Sequence, residues 1–292
     1  MLGWIIYHRE NALYNQQYIR FYLEEGAKQG IDFRLLLVED LEFGVQDGQW
    51  FIIHQKEILP KPDFVICRAI YPLLNKQLEY MWIPVFNNSF VSEICNDKAK
   101  TYQYLAQAGI KMVDSRFYRK SMLREVIEQI ETPTVIKSVD GHGGKQVFLL
   151  PGKPQLLSSE YKEEIIRKLS GSDVVVQPLT GTKNQDLRVY VIGKDIIAAV
   201  LRTAKEGFRS NFSLGGEVGL YTLKEAEIEL VNKIINLFDF GLVGIDFIIG
   251  DEGELIFNEI EDVVGSRMLY QCSDINIVEK YLSFIKNRVS MQ

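Results

Sequence analysis

The chain is predicted to be an α/β protein built of α+β lobes: an N-terminal lobe on a parallel sheet, then two lobes closing over a shared cleft. Three observations carry this. Over about the first 90 residues, short apolar runs alternate with amphipathic helices, the rhythm of a parallel sheet. A glycine-rich loop, Gly141-His-Gly143-Gly144-Lys145, lies between two β-rich runs. Near the C-terminal end, two apolar runs flank a short turn and carry three carboxylates. At 292 residues the chain has length for two domains or three small lobes.

Taken in order, residues 4–7 form a first strand and residues 16–29 an amphipathic helix that stops at Gly30. Residues 33–38 form a second strand, and 64–67 and 84–86 are short buried strands, so residues 1–95 make the first lobe. A helix over 97–108 ends at Gly109, with Asp97 near its start, where acids are favoured. The second lobe, 96–178, has strands at 134–137, 146–150 and 174–177, the last ended by Pro178, and surface helices at 121–130 and 160–169. The third, 179–292, has strands at 186–192 and 196–201, a helix at 223–238 and the acidic hairpin. No internal repeat or low-complexity tract interrupts this order.

Bulk composition narrows the function. A formal net charge of −6 gives no support to a nucleic-acid-binding surface. No run of about 18 apolar residues offers a membrane span. The N-terminus lacks a basic region and a small-residue cleavage site. Three cysteines, Cys67, Cys95 and Cys272, lie far apart without CxxC spacing, so neither a disulfide framework nor a zinc site is expected and a reducing cytoplasm is the default. His8, His54 and His142 are equally scattered.

The hairpin is the most informative segment. Gly244-Ile-Asp246-Phe-Ile-Ile-Gly250 leads through Asp251-Glu-Gly-Glu254 into Leu255-Ile-Phe-Asn-Glu259-Ile-Glu261. A turn centred between Glu252 and Gly253 sets Asp246 opposite Glu259, with Glu261 two residues on and on the same face. Opposed Cβ atoms are roughly 4.5–5.5 Å apart, where like charges repel. Ile248, Leu255 and Phe257 are expected to share that face, so the acids are not simply solvated. Oxygen ligands clustered on an apolar sheet suit Mg²⁺ held together with a phosphate substrate. An edge hairpin with solvated acids is the competing reading; apolar residues on both faces of both strands argue against it.

The remaining parts suit a phosphate. The glycine loop connects strand to strand, which excludes a Walker loop and a dinucleotide fingerprint, since each needs a helix N-terminus. A glycine-rich hairpin can still lay its backbone N–H groups over a triphosphate. Lys137 ends the strand entering the loop, and Lys98 sits in the preceding helix. The strand at 174–177 runs into Pro178-Leu179, a junction whose main chain can face a purine edge, or serve as a plain hinge.

These segments together resemble the ATP-grasp superfamily of carboxylate–amine ligases, in its RimK-like glutamate-ligase branch. The motifs are Asn96-Asp-Lys98, Val135-Ile-Lys137, the 141–145 loop, Asp186-Leu-Arg188, Arg209-Ser210-Asn211 with Gly215-Gly216, Gly244-Ile-Asp246 and Asn258-Glu259-Ile-Glu261, and the resemblance covers residues 96–265. It implies an ATP-grasp fold whose two later lobes clasp ATP. It further implies that Lys98, Lys137, Gly143, Gly144, Asp186, Arg209, Ser210 and Asn211 serve the nucleotide, with Gln177, Pro178 and Leu179 as its adenine-binding hinge. Asp246, Glu259 and Glu261 are then the metal-binding acids.

Two departures stand out. Glu261 replaces the branch's usual Asn, a charge that bears on the choice between Mg²⁺ and Mn²⁺. Asp262-Val-Val-Gly-Ser-Arg267 replaces a Ser/Pro/Gly turn that faces the acceptor substrate in relatives, and Gln146 stands where a glycine is frequent. The implied reaction activates a carboxylate as an acyl phosphate, then joins it to the amine of an amino acid on a small molecule, peptide or protein. Arg209 would act on the transferred phosphate, and Arg188 or Arg202 would stabilise the acyl phosphate or hold a substrate carboxylate, if they are not surface salt bridges. An ATP-grasp-type kinase and a non-catalytic ATP-binding scaffold are the alternatives. The oligomeric state is not readable from the sequence; members of the resembled family often form dimers or tetramers, so a homo-oligomer is admitted, with no nucleic-acid or membrane partner.

Overall fold

The computed structural model describes residues 1–153, 157–181, 184–204 and 217–291. Its first sheet takes four parallel strands from β1 (Leu2–Tyr7), β2 (Asp32–Leu37), β6 (Phe64–Cys67) and β7 (Val85–Phe86), in the order β2-β1-β6-β7. A small antiparallel ribbon of β3 (Leu41–Gln46), β4 (Gln49–His54) and β5 (Glu57–Ile58) is inserted between β2 and β6. Sequence reading left that ribbon out, because its residues are largely exposed and lack a buried run. The helix Gln16–Lys28 ends as expected at Gly30 (φ 73°). Gly26 lets it sit on β2: a Cβ there would lie 2.6 Å from the Phe33 ring.

The second sheet is antiparallel, from β8 (Arg116–Tyr118), β9 (Thr134–Ser138), β10 (Val147–Leu150) and β11 (Val174–Pro178), ordered β10-β9-β11-β8. Helices Leu123–Glu128 and Ser159–Leu169 cover it, with Ile136, Phe148, Ile165 and Val174 in their shared core. The third sheet is antiparallel too: β12 (Gln185–Ile192), β13 (Asp195–Thr203), β14 (Glu217–Tyr221), β15 (Leu242–Ile249) and β16 (Leu255–Glu261), ordered β14-β13-β12-β15-β16. Helix Glu225–Ile235 is shorter than the 223–238 expected. Glu227 accepts from the Lys224 N–H at its start, and Phe238 leaves the helix to stack on Phe240 at 4.8 Å.

The lobes are less separate than the sequence suggests. Helix Lys98–Ala106, capped by Asp97, buries Tyr102 and Leu105 in the core of the third sheet, beside Phe247 and Phe257. The C-terminal helix Ile277–Ser290 joins Tyr281 and Ile285 to Ile5, Tyr7 and Tyr22 of the first lobe and Leu242 of the third. Full burial of each such side chain contributes roughly 1.5–3 kcal/mol, so the first and third sheets are bound firmly together. Among the described residues no helix is long and apolar enough to cross a membrane.

Candidate active site

Asp246 on β15 lies opposite Glu259 on β16, and Gly244 opposite Glu261. The route to that register differs from the simple hairpin. Nearer the turn the pairs are Phe247 with Phe257 and Ile249 with Leu255, so the register shifts by one residue at a β-bulge. Asn258 is the extra residue on β16. The shift also corrects the expected face. Phe257 points with Phe247 into the core, ring centres 6.3 Å apart, and Leu255 joins that core, while Ile248 alone of the three lines the cleft.

Asp246 is 1% exposed and held by two arginines from neighbouring strands. Arg188, its direct partner on β12, donates through Nε at 2.7 Å and Nη2 at 2.6 Å, one bond to each oxygen. Arg202 on β13 adds a bond to Oδ2 at 2.8 Å and pairs with Asp186 through its Nε. Arg188 Nη2 also lies 2.7 Å from Glu261. Both arginines are buried, at 5% and 4% exposure, so a surface salt bridge is excluded for each. Burial alone would raise the Asp246 carboxyl; the two guanidiniums outweigh it and hold it down to about 2. Burial pushes Glu261 above the usual range, with Arg188 opposing and the charges of Asp246 and Glu259 adding to the rise. Glu259 goes the other way, because Lys98 and Lys137 overcome its burial.

Three carboxylates, Asp246, Glu259 and Glu261, each present an oxygen within 4.8 Å of the others. An ionised carboxylate has about four acceptor positions. Arg188 and Arg202 use three on Asp246, leaving one on Oδ1. The donor set is therefore all oxygen and unsaturated, which fits Mg²⁺.

The lysines approach the same cleft. Lys98 Nζ donates to the Gly141 carbonyl at 2.6 Å and lies 3.4 Å from Glu259, tying the glycine loop to the acid cluster. Lys137 Nζ donates to the Tyr102 hydroxyl at 2.9 Å and to Asn258 Oδ1 at 3.1 Å. Burial lowers the Lys137 ammonium to about 8, with Glu259 opposing. Gly143 and Gly144 sit at φ 64° and 71°, a left-handed pair that side-chain-bearing residues resist, and so turn the loop above Lys137. In the sequence Tyr102 has no assigned role, and Asn258 appears only as part of its motif. Tyr102 looks there like an ordinary core position, and only the bulge brings Asn258 to Lys137 while its carbonyl accepts from Tyr102 at 2.7 Å.

Lys98, Lys137, Gly143, Gly144, Gln177, Pro178, Leu179, Asp186 and Glu259 line one cleft of about 130 Å³ between the second and third sheets. At the hinge, the Leu179 N–H already donates to the Pro133 carbonyl at 3.0 Å. Gln177 turns its amide to Ser115 at 2.9 Å. Arg209, Ser210 and Asn211 lie outside the described residues.

Comparison with known proteins bears on the family and the fold. A family model described as a RimK-like ATP-grasp domain matches residues 95–285. The human N-acetylaspartylglutamate synthase A is 27% identical over 293 residues, covering 93% of this chain and 73% of that protein. The ribosomal protein bS6–L-glutamate ligase of Escherichia fergusonii is 26% identical, covering 74% and 71%. Among solved structures, the RimK domain ATP-grasp protein of Sphaerobacter thermophilus superposes with a TM-score of 0.72 at 18% identity, covering 97% and 99%.

Proposed function

This chain belongs to the RimK-like ATP-grasp family, and we propose that the amino acid it joins to its acceptor is L-glutamate. It is an ATP-dependent carboxylate–amine ligase. The choice of glutamate draws on the names of two relatives, one an N-acetylaspartylglutamate synthase and the other a protein–glutamate ligase. What most supports the site assignment is the tie from the Gly141 carbonyl through Lys98 to Glu259, which brings loop, cation and acid cluster to one cleft.

An acceptor carboxylate oxygen attacks the γ-phosphorus of ATP, the bond to the bridging oxygen breaks, and ADP leaves. The amine nitrogen of glutamate then attacks the acyl carbon. The C–O bond to phosphate breaks, inorganic phosphate departs, and the surplus amine proton passes to solvent. The protein's part is positioning and charge neutralisation. Lys98, Lys137 and Arg209 balance the charge of the triphosphate, Ser210 and Asn211 serve it as neutral polar groups, and the glycine loop supplies backbone N–H groups. Gln177, Pro178 and Leu179 border the adenine through carbonyl and apolar groups. Asp246, Glu259 and Glu261 would hold Mg²⁺, or Mn²⁺ given the third charge. Such an ion, when bound, supplies neutralisation of phosphate charge. Arg188 and Arg202 act through Asp246, fixing its carboxylate and keeping it ionised.

The test is ADP release from Mg·ATP with L-glutamate and a panel of acids and peptides, followed by mass spectrometry of the product. Hydroxylamine added in place of the amine should give a hydroxamate, which a kinase acting on a hydroxyl cannot do. ADP release that depends on an alcohol and yields no hydroxamate would overturn the reading.

A further inference from the structure

Three arginines are buried among the described residues: Arg68, Arg188 and Arg202. Two of them meet carboxylates. Arg68, at 6% exposure, has no ion-pair partner within 4 Å among the described residues. One Nη donates to the Val264 carbonyl at 2.9 Å, and its buried Nε donates to nothing. The guanidinium lies 5.1 Å from the centre of the Tyr18 ring and 5.9 Å from that of Tyr7. The Tyr22 hydroxyl is also buried without a partner, and the Tyr7 hydroxyl has none but the Arg68 guanidinium that it faces. Asp262 lies on this side of the molecule, but its oxygens accept from Asn87 at 2.6 Å and Asn96 at 2.9 Å. Asp262 is thus a counter-charge at longer range and not a direct partner; a buried guanidinium without a direct ion pair is costly, and an orphaned donor calls for an explanation.

Its place in the fold supplies one. Arg68 directly follows β6, at the carboxyl edge of the parallel sheet, where open α/β sheets receive ligands. The turn it holds leads straight from the acid cluster, Val264 being three residues beyond Glu261. A Cβ on Gly244 would lie 2.7 Å from Val264 Cγ2 and 3.3 Å from Arg188 Cδ, so Val264 and Arg188 press on the same glycine. Arg68 is thus one side chain behind the arginine that grips Asp246. Tyr18 and Tyr190 pin the turn through Ser266 at 2.9 Å and the Gly265 carbonyl at 3.0 Å.

We propose that Arg68 anchors a carboxylate of the incoming amino acid, one that must be recognised and left unactivated while the amine attacks. The planar fork of arginine matches a carboxylate, and Nε is the donor still to be satisfied. This rests on the ligase reading above.

Calorimetry tests it on protein saturated with the non-hydrolysable Mg·ATP analogue AMPPNP, with L-glutamate, L-glutamine, L-isoglutamine and glutarate as probes. The protein is expected to bind L-glutamate at least about tenfold more tightly than one of its two monoamides, since a buried charged acceptor is exchanged for a neutral amide. Arg68→Lys should bring that preference within about twofold, with AMPPNP affinity and melting temperature little changed. Retained preference in Arg68→Lys overturns the proposal, including when only the melting temperature falls, as for an arginine that merely holds Val264. If Arg68→Lys does not fold, Tyr7→Phe decides: about threefold weaker glutamate binding supports the anchor, and unchanged binding overturns it. Should glutarate bind through Arg68 while glutamate is not ligated, the choice of glutamate falls and the anchor stands. If none of the four probes binds, the anchor falls, and ADP release with another amino acid would leave the ligase reading intact.

Discussion

Arg188 grips Asp246 through both carboxylate oxygens, and the same Nη2 reaches Glu261 at 2.7 Å. One guanidinium therefore spaces two of the three acids, before any ligand arrives. Arg202, reaching Asp246 from the next strand, leaves a single carboxylate between two buried cations. Such a group has a structural role as well as a chemical one, and the two are separable.

Asp246→Asn should damage both. Breaking a buried ion pair from one side typically costs about 3–5 kcal/mol. Glu259→Gln removes a half-buried acid whose ion pair with Lys98 is long, at 3.4 Å, and should leave the fold in place. Both variants are expected to lose turnover by roughly a thousandfold, since each removes an anionic oxygen that would hold the metal ion. Urea unfolding midpoints beside ADP release check this: a clear fall in midpoint for Asp246→Asn and little change for Glu259→Gln. Equal midpoints would mean that the arginines do not depend on Asp246.

Acid unfolding should follow Asp246. Its folded value of about 2 lies below the unfolded value of about 3.9. The stability it contributes is therefore fully present above about pH 4 and is lost as pH falls towards about 2, amounting to roughly 2–3 kcal/mol. Glu261, pushed up by burial, has the opposite sign: its ionisation costs stability as pH rises above its unfolded value. Urea midpoints between pH 2 and 7 should fall mainly below pH 4, and Asp246→Asn should flatten that limb.

Lys137 supplies a prediction at the alkaline end. Burial holds its ammonium at about 8, so for folding alone its charged state is a cost that is relieved as pH rises from about 8 towards its unfolded value of about 10.4. ATP binding has the reverse preference, because a phosphate needs the charged form. The dissociation constant for Mg·ATP should be flat below about pH 8 and rise above it, by up to about tenfold per unit. Lys137→Arg, charged throughout this range, should remove the inflection. An unchanged profile in that variant would assign the inflection elsewhere.

Strand identity and acid pairing were legible in the sequence because apolar runs bounded by Gly250 and Gly253 leave few other hairpins. The register was right at Asp246 and Glu259 although the assumed turn centre was not, since Asn258 bulges out and restores the offset. A bulge has no composition signal in a single chain, so neither the inward turn of Phe257 nor the anchoring of Lys137 by Asn258 was readable. The buried arginine pair was hidden for another reason. Arg188 and Arg202 meet Asp246 only through two strand pairings, and an arginine within an apolar strand looks the same whether its partner is solvent or a carboxylate. β8 was missed because its three residues are not buried.

Glu261→Asn separates the third acid's charge from its position. Asn keeps an oxygen that can face a metal, while Glu261 adds a charge that burial and the neighbouring Asp246 and Glu259 resist. Removing that charge forfeits the contact with Arg188 at 2.7 Å, but Arg188 keeps both bonds to Asp246 and is not orphaned. The melting temperature at pH 7 is therefore not expected to fall, and ADP release should stay within about tenfold of the parent. What should change is the ion: with one anionic ligand fewer, activity at limiting metal should need more Mg²⁺, and the ratio of Mn²⁺- to Mg²⁺-supported rates should shift. Titrating each metal against ADP release in the two proteins reads both quantities. Complete inactivation with the fold intact would show that Glu261 acts on the substrate rather than on the ion.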